Sequence, residues 1–142
     1  MQVKEVMSRR IIAISPEETV AVAARLLSQH NIGALPVCSR DGRLRGMVTD
    51  RDIVVRCVAA GDDPERTRVA EIMTRRVLAA EPEKSIGEAA KLMAREQVRR
   101  LPVQERGRLV GMVSLGDVAV RPDYTMEAGE ALQEISKNIR RV

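Results

Sequence analysis

Two segments of this chain set residues that could hold a ligand at one shared spacing. They are Gly46-Met47-Val48-Thr49-Asp50-Arg51-Asp52 and Gly111-Met112-Val113-Ser114-Leu115-Gly116-Asp117. Both read G-x-x-[S/T]-x-x-D. The glycine permits close approach of backbone or ligand. The hydroxyl and the carboxylate three positions on share one face of a first helical turn. A carboxylate there accepts hydrogen bonds from both hydroxyls of a ribose, and a helix N-terminus favours a nearby anion. The same residue types also make an ordinary N-cap with an acidic first turn. On spacing alone, both uses stand open.

The remaining inventory excludes most covalent chemistry. His30 is the single histidine, so neither a His-based metal cluster nor a Ser-His-Asp triad can be assembled within one chain. Cys38 and Cys57 have no CxxC or ligand-like spacing. Without a nucleophile–base pair or a metal site, the sequence reads as a non-enzyme that needs no cofactor. Arg9-Arg10 and Arg75-Arg76 read as exposed charges at strand entries. Arg140-Arg141 reads as a pair of cations favoured by a helix C-terminus. Met7, Met47, Met73 and Met112 read as core fillers.

The elements that must position the paired motifs follow from an internal repeat. Val3–Leu27 aligns with Val69–Met93, and Ala34–Val54 aligns with Arg100–Ala119 after one deletion near Asp41; about 22 of about 51 positions are identical. Each copy predicts a short strand (Ile11–Ile14; Val77–Ala80), then a Pro-containing turn and a helix. The first helix carries Val20, Ala23, Ala24 and Leu27 at helical spacing, the second Ile86, Ala89, Ala90 and Met93. Ser85 and Glu88 have capping-box spacing. Two strands follow in each copy, Leu35–Cys38 with Leu44–Val48 and Leu101–Gln104 with Leu109–Val113, turning at Asp41-Gly42 and Arg106-Gly107. A second helix starts at Thr49-Asp50 and runs to Gly61; its counterpart starts at Ser114 and stops before Pro122. A last helix follows the Arg121-Pro122-Asp123 break, with Ala128, Leu132, Ile135 and Ile139 as its apolar stripe. This organises the chain as repeat one (residues 1–61), a linker (62–68), repeat two (69–120) and a C-terminal helical extension (121–142).

Composition narrows the class. The chain has 142 residues, 44% hydrophobic and 31% charged, enough for a real core. Tyr124 is its single aromatic residue, which removes the stacking platforms of single-stranded nucleic-acid binders. The net charge of +4 arises from 24 Lys+Arg interleaved with 20 Asp+Glu, a mixed surface that argues against nucleic acid. Apolar runs are too short to cross a membrane, and MQVKEVMSRR has no secretion-signal core. A cytoplasmic, reduced protein is expected.

The repeat, the paired G-x-x-[S/T]-x-x-D ends, MSRR/MTRR, ALPV/RLPV and GMVTDRD closely resemble the CBS domain, two of which form a Bateman module. The resemblance covers about residues 3–120 and is nearest to free-standing bacterial CBS pairs. It implies an α+β fold of two pseudo-symmetric β-α-β-β-α repeats packed sheet against sheet, plus the C-terminal helix. It further implies a regulatory module binding AMP, ADP, ATP or another adenosine compound in a cleft between the repeats. By that resemblance Thr49, Asp52, Ser114 and Asp117 hold ribose. Adenine lies against Ile12, Ile14, Ala34, Leu35 and Pro36 in repeat one and Leu78, Ala80, Leu101 and Pro102 in repeat two. Phosphate falls to Arg99 and Arg100, where repeat one has Gly33-Ala34, so the two sites should differ. A homodimer is expected, from the family's habit of pairing as flat discs and from the apolar stripe of the last helix; an unknown regulated protein is a further expected partner. The alternatives are a ligand-free scaffold and a basic-face nucleic-acid binder.

Overall fold

The computed structural model describes residues 1–121 and 125–137. Pro122, Asp123, Tyr124, Ile139 and Arg140-Arg141, used in the sequence reading, lie outside them. A 3-10 turn at Val3–Glu5 precedes α1 (Val20–His30), β1 (Ala34–Cys38), β2 (Leu44–Thr49) and α2 (Asp50–Ile53). Then come α3 (Val69–Ile72), α4 (Ile86–Glu96), β3 (Arg100–Glu105), β4 (Arg108–Ser114), α5 (Leu115–Ala119) and α6 (Thr125–Ser136). Helix and strand are mixed, and the strands form two small sheets, β1 with β2 and β3 with β4.

The two long repeat helices begin and end as their sequences dictate. Thr19 Oγ1 accepts the Val22 N–H at 3.3 Å and Ser85 Oγ accepts the Glu88 N–H at 3.1 Å. Each such cap contributes about 1 kcal/mol. Asn31 and Gln97, both left-handed at φ 52° and 58°, terminate the helices. Val20, Ala23 and Leu27 bury one face of α1; Ile86, Ala89, Ala90 and Met93 bury the matching face of α4.

The short opening strands are the main correction to the sequence reading. Ile11–Ile14 and Val77–Ala80 shrink to single residues: Ile14 bridges Val37, and Ala80 bridges Val103, both in parallel. Ile14 N–H donates to Pro36 O (3.0 Å) and Cys38 N–H to Ile14 O (2.9 Å); Ala80 N–H donates to Pro102 O (2.9 Å) and Gln104 N–H to Ala80 O (2.9 Å). The next donors along either ladder would be Pro16 and Pro36, or Pro82 and Pro102, and proline has no N–H. The prolines therefore stop the ladder on both sides of one residue.

The opposite edge of each sheet is covered by a segment that periodicity left unassigned. Thr74 and Met47 exchange backbone hydrogen bonds at 2.8 and 2.9 Å, and Ser8 and Met112 do so at 2.7 and 2.9 Å. These contacts explain the motif glycines. A β-carbon on Gly46 would lie 2.5 Å from the Thr74 carbonyl oxygen, and one on Gly111 would lie 2.7 Å from Met7 Sδ and 3.0 Å from Ser8 O. Only glycine admits backbone that close.

Two compact units result. One comprises Ile12–Val77 with Gly107–Leu109, the other Met1–Ile11 with 78–106 and the described residues from Val110 onward. The repeat-one unit buries Val20, Leu35, Val37, Val48, Cys57 and Val69 completely. The repeat-two unit buries Val3, Ile86, Met93, Val103 and Val118 completely. Truncating a Leu, Ile or Met of these cores to Ala should cost about 2–5 kcal/mol.

The second helix of repeat one continues from α2 into a π-helical stretch, Val54–Val58, before Gly61 at φ +78°. The last helix differs from its expected stripe. Ala128, Ala131 and Ile135 are buried on α6, while Leu132 is 41% exposed. α6 packs on α4 and α5. Two alanines at that seam let the helices approach, which turns Leu132 outward.

Candidate ligand-binding site

The two motif ends adopt one backbone arrangement. Thr49 Oγ1 accepts the Asp52 N–H at 3.0 Å while Asp52 Oδ2 accepts the Thr49 N–H at 3.0 Å. Ser114 Oγ accepts the Asp117 N–H at 3.1 Å while Asp117 Oδ2 accepts the Ser114 N–H at 2.9 Å. Both are reciprocal capping boxes. The hydrogen bond just upstream is also shared: Asp50 N–H donates to Gly33 O (3.0 Å), and Leu115 N–H to Arg99 O (2.8 Å).

The surroundings diverge. Asp52 is 7% exposed. Its carboxylate also accepts the Thr74 hydroxyl at 3.3–3.4 Å, and Arg56 Nε lies 3.7 Å from Oδ1. Arg56 itself donates to the carbonyls of Ile72 and Met73 at 3.4 and 3.5 Å. A buried carboxylate so engaged holds structure together, and freeing it for a ribose would leave its partners unpaired. Asp117 is half-buried, and beyond the capping box no hydrogen bond or ion pair to it is recorded among the described residues. Its i+4 arginine, Arg121, corresponds to Arg56, yet its Nε is buried without a hydrogen-bond partner.

Charge separates the two ends further. At the repeat-one end, a β-carbon on Gly33 would lie 3.5 Å from Asp50 Oδ2, so a carboxylate stands where an anion would approach. At the repeat-two end Arg99 and Arg100 are exposed, and neither is in an ion pair among the described residues. With Ser114 they line an open pocket of about 530 Å³ within the repeat-two unit. Leu115, Gly116 and Ala119 of α5 form a second wall, and Thr125, Ala128, Gly129 and Leu132 of α6 a third. Two cations at the rim and an apolar interior suit a small anionic ligand with a flat or aliphatic part.

A family profile for the CBS domain matches twice, at residues 3–58 and 69–123. The chain belongs to the CBS domain family. It is 44% identical to the CBS domain-containing protein YhcV of Bacillus subtilis over 134 residues, 94% of each chain. It is 40% identical to hypoxic response protein 1 of Mycobacterium tuberculosis, covering 82% of this chain and 81% of that one. A crystal structure of Hypoxic Response Protein I with two coordinated zinc ions superposes with a TM-score of 0.79 at 38% identity, covering 85% of this chain and 98% of that one. The CBS domain pair of protein MJ0100, in complex with 5′-methylthioadenosine and S-adenosyl-L-methionine, gives 0.74 at 29% identity over 84% and 94% of the two chains.

Among the described residues of this CBS pair no group of three or more His, Cys, Asp or Glu could hold a metal ion, and no helix is long and apolar enough to cross a membrane. Both described cysteines are free thiols; burial raises the pKa of Cys38.

The residues expected against adenine are distributed unevenly. Ile14 and Leu35 belong to the repeat-one core at 5% and 0% exposure, and Ala80 and Leu101 to the repeat-two core at 5% and 2%. Pro36 and Pro102 are also buried, while Ile12, Ala34 and Leu78 are half-buried. None of these lines the pocket beside Arg99 and Arg100. That pocket gathers Arg99, Arg100 and Ser114; Asp117 joins it indirectly, through its bonds with Ser114. Sequence reasoning missed three groups: Thr74 and Arg56 around Asp52, Asp50 beside Gly33, and the α6 wall. The i+4 spacing of Asp52 and Arg56 was a legible signal. The others join residues distant in sequence.

Proposed function

We propose that this CBS pair is a non-catalytic regulatory module that binds an adenosine nucleotide at its repeat-two end. Arg99 and Arg100 grip the phosphate and Ser114, held by Asp117, meets the ribose. The single observation that carries this reading is the pocket that brings Arg99, Arg100 and Ser114 together with no acidic residue among the described residues of its lining. The adenosine ligands of the MJ0100 pair support the ligand class. Thr49 and Asp52 form the weaker end of the module, because Asp52 is engaged and Asp50 repels an anion. The module acts in the cytoplasm as a homodimer, a state favoured by the exposed Val54, Val55, Val58 and Leu132, and passes ligand occupancy to a regulated protein.

Calorimetric titration of the full chain tests the nucleotide claim. Replacing Arg99 and Arg100 by Ala should weaken AMP binding by about 1.5–3 kcal/mol, the range for charge-assisted hydrogen bonds, and leave adenosine binding nearly unchanged. Equal losses for both ligands would mean that the arginines do not grip phosphate. Absence of any heat or thermal shift with millimolar AMP, ADP or ATP would leave the ligand-free scaffold as the better account. Steeply salt-dependent retention of nucleic acid would favour the basic-face alternative.

A further inference from the structure

Arg43 and Arg108 face each other across an antiparallel backbone bridge. Leu44 N–H donates to Gly107 O at 3.0 Å and Leu109 N–H to Gly42 O at 3.1 Å, so the two arginines form the non-hydrogen-bonded pair between those bonds. In such a pair the α-carbons lie about 4.5 Å apart and the side chains share one face. Like charges set directly opposite destabilise a sheet. The Arg43 guanidinium lies over the partner turn, its Nη1 being 2.9 Å from where a β-carbon of Gly107 would sit. Arg45, two residues along from Arg43, adds a third cation on the same face. All three are exposed, and all three belong to the repeat-one unit.

One carboxylate stands beside them, and it is engaged within its own turn. Asp41 accepts the Ser39 hydroxyl and the Arg43 N–H (3.2 Å), and its Oδ2 lies 3.5 Å from Arg43 Nε. Arg45 Nε donates to Ser39 Oγ at 3.2 Å. Neither Arg45 nor Arg108 is in an ion pair among the described residues. A surface that opposes two arginines and leaves charge unanswered fits an anion supplied from outside.

We propose that Arg43, Arg45 and Arg108 form a docking surface for an acidic segment of a partner protein, extended and with Asp or Glu at alternate positions. Arg43 and Arg45 sit about 7 Å apart along the strand, the repeat of same-face side chains on an extended chain. A guanidinium fork holds a carboxylate by two parallel hydrogen bonds. Asp41 beside the cations repels a continuous phosphate backbone, whereas a peptide brings N–H groups that it can accept. Bases would also find no stacking platform here, because Tyr124 is the single aromatic residue of the chain. This surface is independent of the nucleotide pocket, since none of the three arginines lines it.

Fluorescence polarisation of the full chain with a fluorescein-labelled octapeptide of alternating Glu and Thr tests this. The peptide should bind saturably at low salt and weaken at least about tenfold at high salt. Arg45→Gln and Arg108→Thr should each weaken binding at least about threefold, and together at least about tenfold. Arg25→Gln, at an exposed arginine of α1 that pairs with Glu65, should leave it unchanged. Arg108→Thr should melt at or above the parent's temperature, because it removes an opposed charge and adds a β-branched residue to the strand. A lower melting temperature would show that Arg108 serves the fold, and overturns the docking surface. So does the absence of peptide binding by the parent, or parent-like binding by the double variant. Tighter binding of an oligothymidylate of equal charge, lost in the same variants, would make the surface a nucleic-acid contact and overturn the protein partner.

Discussion

The Thr49/Asp52 end and the Ser114/Asp117 end share a capping box, an upstream backbone hydrogen bond and a glycine under a crossing segment. Their carboxylates are nevertheless in different situations. Asp52 is buried and engaged by Thr74 and Arg56, whereas Asp117 has only its cap partner recorded. Beside them stand Asp50 with Gly33 in one copy and Leu115 with Arg99 in the other. The two copies share a backbone arrangement, and a few side chains give their carboxylates different partners. A motif defined by a hydroxyl and a carboxylate therefore does not say what the carboxylate does. Its neighbours decide.

The sharpest break in this comparison is to remove the carboxylates in turn. Asp52→Ala leaves the Thr49 N–H and the Thr74 hydroxyl without their acceptor and should destabilise the fold by about 2–3 kcal/mol. Asp117→Ala loses one part-buried cap interaction and should cost about 1 kcal/mol. Urea denaturation of the two variants measures both. Equal losses would mean that the two ends are energetically equivalent and that the Asp52 network carries no extra weight.

A smaller effect separates the crossing segments. Thr74→Val keeps the shape of the side chain and deletes the hydroxyl that Asp52 accepts, at an expected cost of about 1 kcal/mol. Ser8→Ala, at the equivalent position, should stay within about 0.5 kcal/mol, because Ser8 Oγ makes only a long 3.5 Å bond to Arg10 O. Matched thermal melts of the two variants decide it, and a larger loss for Ser8→Ala would invert the asymmetry.

The smallest effect lies at the hairpin turns. The Ser39 hydroxyl, and then the Arg43 N–H, hold the Asp41 carboxyl below its ordinary value in the repeat-one turn. The repeat-two turn, Arg106-Gly107, has no carboxylate. A lowered folded-state pKa means stability that is present above the unfolded value and lost as pH falls through the folded one. Acid should therefore loosen the β1–β2 turn before the β3–β4 turn. Amide exchange of Gly42 and Gly107 measured from pH 5 down to about pH 3, corrected for intrinsic rates, reports this. Asp41→Asn should abolish the difference; if the difference persists, another group is responsible.

Much of the fold was legible before any coordinates. The repeat located paired elements, and the 3.6-residue spacing of Val20, Ala23 and Leu27 named a buried face that α1 does bury. Ser85 marked the start of α4 through a contact three residues long. Where the reading slipped, the cause was a partner outside the local window. Ile11–Ile14 looked like a strand because its own residues favour one, but a ladder needs N–H groups on the facing strand too, and Pro36 removes one there. Leu132 looked like core by spacing, and the close approach of α6 to its neighbours gave that place to Ala131.

Sequence alone determined what depends on residues near one another along the chain: two copies of one unit, their caps and turns, the family, and the arginine pair present in one copy and missing from the other. Tertiary structure decided what each repeated residue faces. Thr74 reaches Asp52 across 22 positions, and α6 closes around Arg99, Arg100 and Ser114 from the far end of the chain. Caps and turns are set by a few bonds of rotation, so their signals survive in a short window of sequence. Burial of a carboxylate and the walls of a pocket depend on packing between distant segments. No single window contains both sides of such a contact.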